Sequence, residues 1–298
     1  MTRDDNLCKL CPRRCGADRK SGGVGFCGAG DSIVAARASL HLWEEPCLSG
    51  ERGSGTVFFS GCPLKCVFCQ NFEISANMNG RKIGAGRLCE IFFELREKGA
   101  HNINLVSPTP YIFEVAEAIK LAKKSGFDLP FVYNSSGYEL PESLKMLDGL
   151  IDIYLPDFKY ESASLAKKYS NAEDYPERAF DAICEMVRQC PTPLFEDDMI
   201  KRGVIVRHLV LPSQLDNSKA VIKRLYEAFG DKIFISIMSQ YTPVGDLSRY
   251  PELSRTLSEA EYDEVVDYAI ELGVTNGFIQ DGEAASESFI PIFDGFGI

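Results

Sequence analysis

The chain has 298 residues, 45% hydrophobic and 25% charged, long enough to bury a large core and ordinary in composition for a globular protein. Its formal net charge is −11, carried by 43 acidic against 32 basic residues, and that sign argues against a phosphate backbone, and so nucleic acid, as the substrate. No apolar run approaches membrane-spanning length and the N-terminus is charged and cysteine-bearing, so the expectation is a cytoplasmic protein with no membrane contact.

The grouping of the 11 cysteines says more than their number. Two tight groups run from Cys8 to Cys27 and from Cys62 to Cys69, while Cys47, Cys89, Cys184 and Cys190 are scattered. Thiols at ligand spacing in a chain without a signal peptide point to metal in a reducing compartment, not to a disulfide framework.

The first group is Cys8-x2-Cys11-Pro12-Arg13-Arg14-Cys15, followed by Cys27 after the glycine-rich Gly22-Gly23-Val24-Gly25-Phe26. Four thiols so close, with glycines that let the chain fold back, can close one tetrahedral site without a core. Zinc and a second 4Fe–4S cluster both accept four thiolates, and spacing does not decide between them. Arg13, Arg14, Arg19 and Lys20 either offset thiolate charge or form a solvated basic face. Residues 31–52 connect this leader to the first strand. Trp43, the only tryptophan, is expected to pack the leader onto the main body, and His41 to cap or pack.

Val57 to Phe59 is a β-branched and aromatic run between glycines, read as a buried strand. It empties into Gly61-Cys62-Pro63-Leu64-Lys65-Cys66-Val67-Phe68-Cys69, a C-x3-C-x2-C trio with no partner pair such as zinc sites carry. Three close thiolates are a soft set that iron–sulfur clusters select, and a cubane held by three cysteines keeps one iron open to a substrate. Gly61 and Pro63 suit a tight turn, and Phe68 is placed to shield the sulfides.

Strand-like and helix-like segments then alternate. Helices are expected over Leu88–Lys98, Tyr111–Ser125, from Pro141 through Leu147, over Pro176–Cys190, from an Asn217 cap to Phe229, and over Tyr262–Leu272 behind a Ser258-x-x-Glu261 capping box. In Pro176–Cys190 the apolar stripe reads Phe180, Ile183, Cys184 and Val187, which makes Cys184 a core side chain. Strands fall at Ile103–Val106, Phe131–Tyr133, Ile151–Leu155, Val204–Leu211, Ile233–Met238 and Gly277–Gln280. This alternation implies an α/β fold with a parallel sheet and outer helices. Around seven strands in this length give an incomplete parallel (β/α)6-like barrel at residues 53–298, with residues 1–52 as a cysteine-rich metal-binding appendage and connector.

C-x3-C-x2-C after a first strand, followed by Gln70-Asn71, resembles the radical S-adenosylmethionine (SAM) superfamily. The run from Trp43 to Asn71 is similar to the pyruvate formate-lyase activating enzyme group, in particular its branch of activating-enzyme-related Fe–S proteins. The resemblance implies an anaerobic oxidoreductase with a 4Fe–4S cluster on Cys62, Cys66 and Cys69. SAM would chelate the open iron, and an electron from a donor such as flavodoxin or ferredoxin would cleave it to a 5′-deoxyadenosyl radical that abstracts hydrogen. The substrate it implies is a backbone glycine in a glycyl radical enzyme. A small molecule or another peptide is the alternative substrate, and a non-catalytic Fe–S or zinc binding protein the alternative class.

In such barrels the site collects at the carboxyl ends of the strands. Relatives usually carry Gly-Gly-Glu after the second strand, to bind the SAM amino group. Here Ser107-Pro108-Thr109-Pro110 stands instead, and Ser107 and Thr109 offer hydroxyl or backbone acceptors. Asn134-Ser135-Ser136-Gly137 resembles the activating enzymes' Asp-Thr-Asn-Gly, with Asn134 at their aspartate, so a cation site is not expected. Asp157 and Lys159 match their Asp-x-Lys and share one face of an extended chain. Arg207, charged within an apolar strand, needs a partner; the resemblance supplies the SAM carboxylate. His208 points the other way and reads as structural, and Gln240 stands near the activating enzymes' histidine.

Overall fold

Runs that are apolar on both faces can be buried only in a sheet covered on both sides, and the chain satisfies them with one twisted parallel sheet. The computed structural model describes residues 7–280 and 291–298. In order, its elements are β1 (Ile33–His41), α1 (Pro46–Ser49), β2 (Ser54–Phe59), α2 (Phe72–Ser75), β3 (Arg81–Ile83), α3 (Ala85–Glu97), β4 (Ile103–Val106), α4 (Ile112–Lys124) and β5 (Phe131–Ser135). There follow α5 (Pro141–Leu144), β6 (Ile153–Pro156), α6 (Ala163–Ser170), α7 (Tyr175–Gln189), β7 (Leu194–Glu196), β8 (Met199–Leu209), α8 (Leu215–Phe229), β9 (Phe234–Met238), α9 (Glu259–Leu272) and β10 (Gly277–Ile279).

Strands β2, β4, β5, β6, β8, β9 and β10 pair in parallel in that spatial order. β1 and β3 extend the sheet antiparallel beyond β2, and β7 forms a hairpin with β8. Among the described residues β10 does not pair with the β1–β3 edge, so the barrel is open along one seam. This is the incomplete α/β barrel that the alternation implies.

β1 lies within the stretch read as a connector. Its Ala35, Ala36 and Ala38 have weak strand propensity, and pairing with β2, from Ala35↔Phe59 to His41↔Ser54, and with β3 makes the run a strand. After β1 the chain turns under the barrel. Cys47 and Leu48 of α1 pack on Val132, Ile153, Leu155, Ile200 and Ile205, forming an apolar floor. Asn102, 2% exposed, ties that floor down: its amide donates to the Leu48 carbonyl at 2.8 Å and its oxygen accepts from the Ser54 hydroxyl.

Three other expectations change. Cys184 is exposed, because α7 buries Ala179, Ala182, Ile183 and Met186, a stripe one position off the one read from Phe180. Trp43 is 58% exposed and lines a chamber at the seam. Asn217 is not a cap: it lies inside the first turn of α8, where its side chain clasps the Lys159 carbonyl and the amides of Glu161 and Ser162. The Ser258–Glu261 capping box forms as expected.

Arg13 ties the leader to the barrel. Arg13 donates to the carbonyls of Pro63 (2.8 Å), Ser170 (2.9 Å) and Asn171, and its guanidinium stacks over Phe26 and Tyr138.

Replacing Asn102 with Leu is expected to leave the Leu48 carbonyl and the Ser54 hydroxyl unsatisfied, at about 1–3 kcal/mol each. Urea unfolding should show a loss of at least ~2 kcal/mol; no change in midpoint would show that α1 is held by its apolar contacts alone.

Candidate active site

The site begins where β2 runs out. Gly61 takes φ +92° against the Cys27 carbonyl, which would lie 2.9 Å from any Cβ there, so a side chain fits neither the turn nor the space. The loop that follows sets Cys62, Cys66 and Cys69 on the wall of a chamber of about 210 Å³. Each sulfur has a donor aimed at it: the Leu64 amide to Cys62 (3.4 Å), the Ser170 hydroxyl to Cys66 (3.0 Å) and the Ser75 hydroxyl to Cys69 (3.3 Å). Burial pushes the Cys62 thiol up to about 12 and raises Cys69 as well, so these thiols stay protonated at neutral pH unless a metal replaces the proton. Phe68 closes the wall, edge-on to Tyr169 and Tyr241. Among the described residues no three His, Cys, Asp or Glu side chains converge tightly enough to hold a single ion. A cubane separates its ligands further than one ion does, and three thiols with sulfur-directed donors around one chamber suit it.

Opposite the thiols lies a buried charge network. The ends of β6 and β8 meet through a bridge between Asp157 and Arg207. The Arg207 guanidinium donates from Nε to Asp157 (3.1 Å), from Nη1 to Glu44 (3.1 Å) and from Nη2 to the Asn134 side-chain oxygen (2.6 Å). Lys159 pairs with the other Asp157 oxygen at 2.7 Å, and the Asn104 amide donates to Glu44 at 2.8 Å. Burial pushes Asp157 up, but Lys159 and Arg207 together outweigh it and hold the carboxyl below its usual range. Burial pulls Arg207 down, and the carboxylates of Asp157, Glu44 and Glu45 outweigh it in turn.

Most of the residues picked from strand ends meet here. Ser107, Asn134, Ser135, Asp157, Lys159, Arg207 and Gln240 line the same chamber as the three cysteines. Ser107 holds φ +59°, a left-handed backbone rare for a residue with a Cβ, in the stretch where relatives carry glycines. Thr109 does not line it. Its hydroxyl turns away and donates to Glu139 at 2.6 Å. Arg207 faces inward as strand alternation requires, yet all three sides of its fork are taken by the protein's own groups and not kept open for a ligand carboxylate. His208 is buried between the Phe158 carbonyl (2.8 Å) and the Ser218 hydroxyl (2.9 Å), a structural role. Sequence reasoning missed Glu44 and Glu45, as well as Ser75 and Ser170 on the sulfurs. The only available signal was two adjacent acids ahead of the apolar Pro46-Cys47-Leu48.

A second chamber of about 320 Å³ opens beside the first and reaches the seam. The two share Gln70, Asn71, Val106, Asn134, Arg207, Met238 and Gln240. Its floor carries Glu44 and Glu45, and its rim carries Trp43 and Phe58 on one side and Phe278 and Gln280 on the other.

The leader cysteines gather in their own lobe beside Gly61. The sulfurs of Cys27 and Cys15 lie 3.3 and 3.4 Å from where a Gly25 Cβ would stand, and Arg19 reaches the Cys27 sulfur at 3.5 Å and the Pro110 carbonyl. Burial pushes the Cys11 thiol up to about 12.

Replacing Arg207 with Ala strands Glu44 and Asp157 as buried, partly unpaired carboxylates, and should cost about 3–5 kcal/mol in denaturant unfolding. Arg207→Lys should recover only part of that, because an ammonium cannot span the three partners of the fork. Glu139 gives a pH signature. Burial pushes its carboxyl up to about 7, against the opposing bonds from Thr109, Ser135 and Tyr133. The folded state therefore holds a proton that the unfolded chain releases near pH ~4.3. The stability this gives is complete below that value and is lost, at about 1.4 kcal/mol per pH unit, as pH rises through 7. Glu139→Gln should match wild type near pH 4 and exceed it at pH 8; parallel pH curves would contradict the assignment.

Residues 56–189 match the family model of the radical SAM superfamily. The uncharacterized protein MJ0674 of Methanocaldococcus jannaschii is 30% identical over 271 residues, covering 88% of this chain and 74% of that protein. Among solved structures, Streptococcus suis SuiB bound to S-adenosylmethionine superposes with a TM-score of 0.53 at 11% identity, over 75% of this chain and 49% of SuiB. SuiB bound to its precursor peptide SuiA gives 0.52 at 13% identity, over 75% and 47%. The chain thus spans about half the length of SuiB, and at these identities the likeness concerns the fold. With a cysteine loop after the first parallel strand, an open barrel and a relative matched over most of its length, the chain belongs to the radical SAM superfamily.

Proposed function

We propose that this chain reductively cleaves SAM and directs the resulting radical to a substrate held in the seam-facing chamber. The observation that carries the reading is the single chamber into which Cys62, Cys66 and Cys69 open together with Asn134, Asp157, Lys159, Arg207 and Gln240. Cys62, Cys66 and Cys69 would hold a 4Fe–4S cluster, which, once reduced by an external one-electron donor, would supply the electron for reductive cleavage of the SAM C5′–S bond to methionine and a 5′-deoxyadenosyl radical.

The protein's part is placement and exclusion of water. The hydroxyls of Ser75 and Ser170 and the Leu64 amide stabilise thiolate charge on the ligands and so tune the cluster. Asn134 and Asp157, fixed by Arg207, line the chamber and are the acceptors assigned to the SAM ammonium. Lys159 supplies a cation beside Asp157, at the edge where a carboxylate can dock.

The finer reading, supported by the similarity of the Trp43–Asn71 run to the activating enzymes, makes the substrate a backbone glycine of a glycyl radical enzyme, with flavodoxin or ferredoxin as electron donor. A small molecule is the second reading, and the 320 Å³ chamber with a charged floor favours it, since that volume suits a small ligand. Beside the catalytic loop, Cys8, Cys11, Cys15 and Cys27 would hold one further metal centre, zinc or a second cluster; the absence, among the described residues, of any trio converging on a single ion favours the cluster.

The test is anaerobic reconstitution with iron and sulfide, then dithionite and SAM, with 5′-deoxyadenosine measured. Wild type should form it and Cys66→Ala should not, while metal on the leader stays bound. Turnover in Cys66→Ala would refute the ligand assignment, and no product from a fully loaded wild-type cluster would favour a binding protein.

A further inference from the structure

The floor of the seam-facing chamber holds a carboxylate that SAM cleavage does not use. Among the described residues three acidic side chains line the two chambers, and two of them are paired: Glu44 with Arg207 at 3.1 Å, Asp157 with Arg207 at 3.1 Å and with Lys159 at 2.7 Å. Glu45 is the third. It is 8% exposed, and among the described residues its Oε2 has no hydrogen-bond partner. It lines only the outer chamber, away from the thiols.

A carboxylate buried with an open oxygen costs several kcal/mol unless something satisfies it. Burial accordingly pushes Glu45 up, helped by the neighbouring Glu44 carboxylate and resisted by Arg207 and the Ser236 hydroxyl. The one guanidinium in reach is already committed to three other groups. His41 brings no charge either, since burial and the cations Arg207 and Arg37 push its pKa down to about 4. Among the described residues no cation is left to pair with Glu45. Its walls are aromatic, with Phe58 and Trp43 on one side of the seam and Phe278, stacked on Phe234, on the other. An acid at the end of an aromatic passage is a combination that recognises cations.

We propose that Glu45 docks a cationic group of the substrate, an alkylammonium or a guanidinium, and that this anchors the reacting carbon across the wall shared with the SAM chamber. The assignment rests on the outer chamber being the substrate chamber of the proposed function. Two sources share the chemistry: a small basic molecule, or a basic side chain on a peptide.

The experiment is calorimetric titration of the cluster-loaded full chain, under anaerobic conditions, with n-butylguanidinium and with its uncharged isostere n-butylurea. Wild type should bind the cation at least about tenfold more tightly than the urea, the worth of one charge-assisted hydrogen bond. Glu45→Gln should shrink that preference to about twofold, and Glu45→Asp should fall between them. Glu45→Gln without ligand should melt no lower than wild type, because it removes a buried charge; a marked fall would assign Glu45 to the fold and overturn the proposal. Equal affinity for cation and urea in wild type would also overturn it, as would a preference kept in Glu45→Gln or an equal loss of SAM affinity in that variant. Acetyl-Gly-Arg-Gly-amide binding as tightly as the free cation would identify the source as a peptide, and its exclusion would identify a small molecule. Because 5′-deoxyadenosine is measured separately, loss of SAM cleavage with the cation preference intact would sink the SAM reading and leave this site standing.

Discussion

The barrel depends on one buried guanidinium. Arg207 projects from β8 into the cavity with its side chain only 15% exposed, and it draws together groups from three distant stretches: Glu44 after β1, Asn134 on β5 and Asp157 beyond β6. Parallel strands supply no local turn to hold their carboxyl ends in register. A planar fork with three fixed donor directions does so, since each partner must lie in its plane. Lys159 extends the network toward the cysteine loop, and Asn104 holds the far side of Glu44. The gain is geometric more than energetic, because desolvation offsets much of the attraction in a buried ion pair.

The same network divides the cavity. On one side the thiols, hydroxyl donors and Asp157–Lys159 make a polar pocket against the loop; on the other, aromatic rims and two glutamates face the seam. The two chambers share a wall of Gln70, Asn71, Val106, Asn134, Arg207, Met238 and Gln240, and Phe278 and Ile279 of β10, an unpaired edge among the described residues, line the second. The leader braces the thiol side. Arg13 grips the Ser170 carbonyl while the Ser170 hydroxyl points at Cys66, and the Cys27 carbonyl lies against Gly61, so the leader's packing reaches the loop directly.

The sequence by itself determined what rests on local chemistry and periodicity. C-x3-C-x2-C is legible because ligands on one loop must be close in sequence, and the Ser258–Glu261 box because a helix start is satisfied within four residues. Strand and helix alternation told of a parallel sheet, and alternation within β8 told that Arg207 faces inward. Tertiary structure decided the rest. β1 is a strand because β2 and β3 offer it edges. Cys184 is exposed because the sheet, and not the helix's own stripe, chooses which face of α7 is buried. Thr109 is spent on Glu139, 30 residues away, and Arg207 meets Glu44 across 163 residues. Such pairings leave no trace in spacing: a charge in an apolar run announces that a partner is needed, and only the folded chain decides which group supplies it.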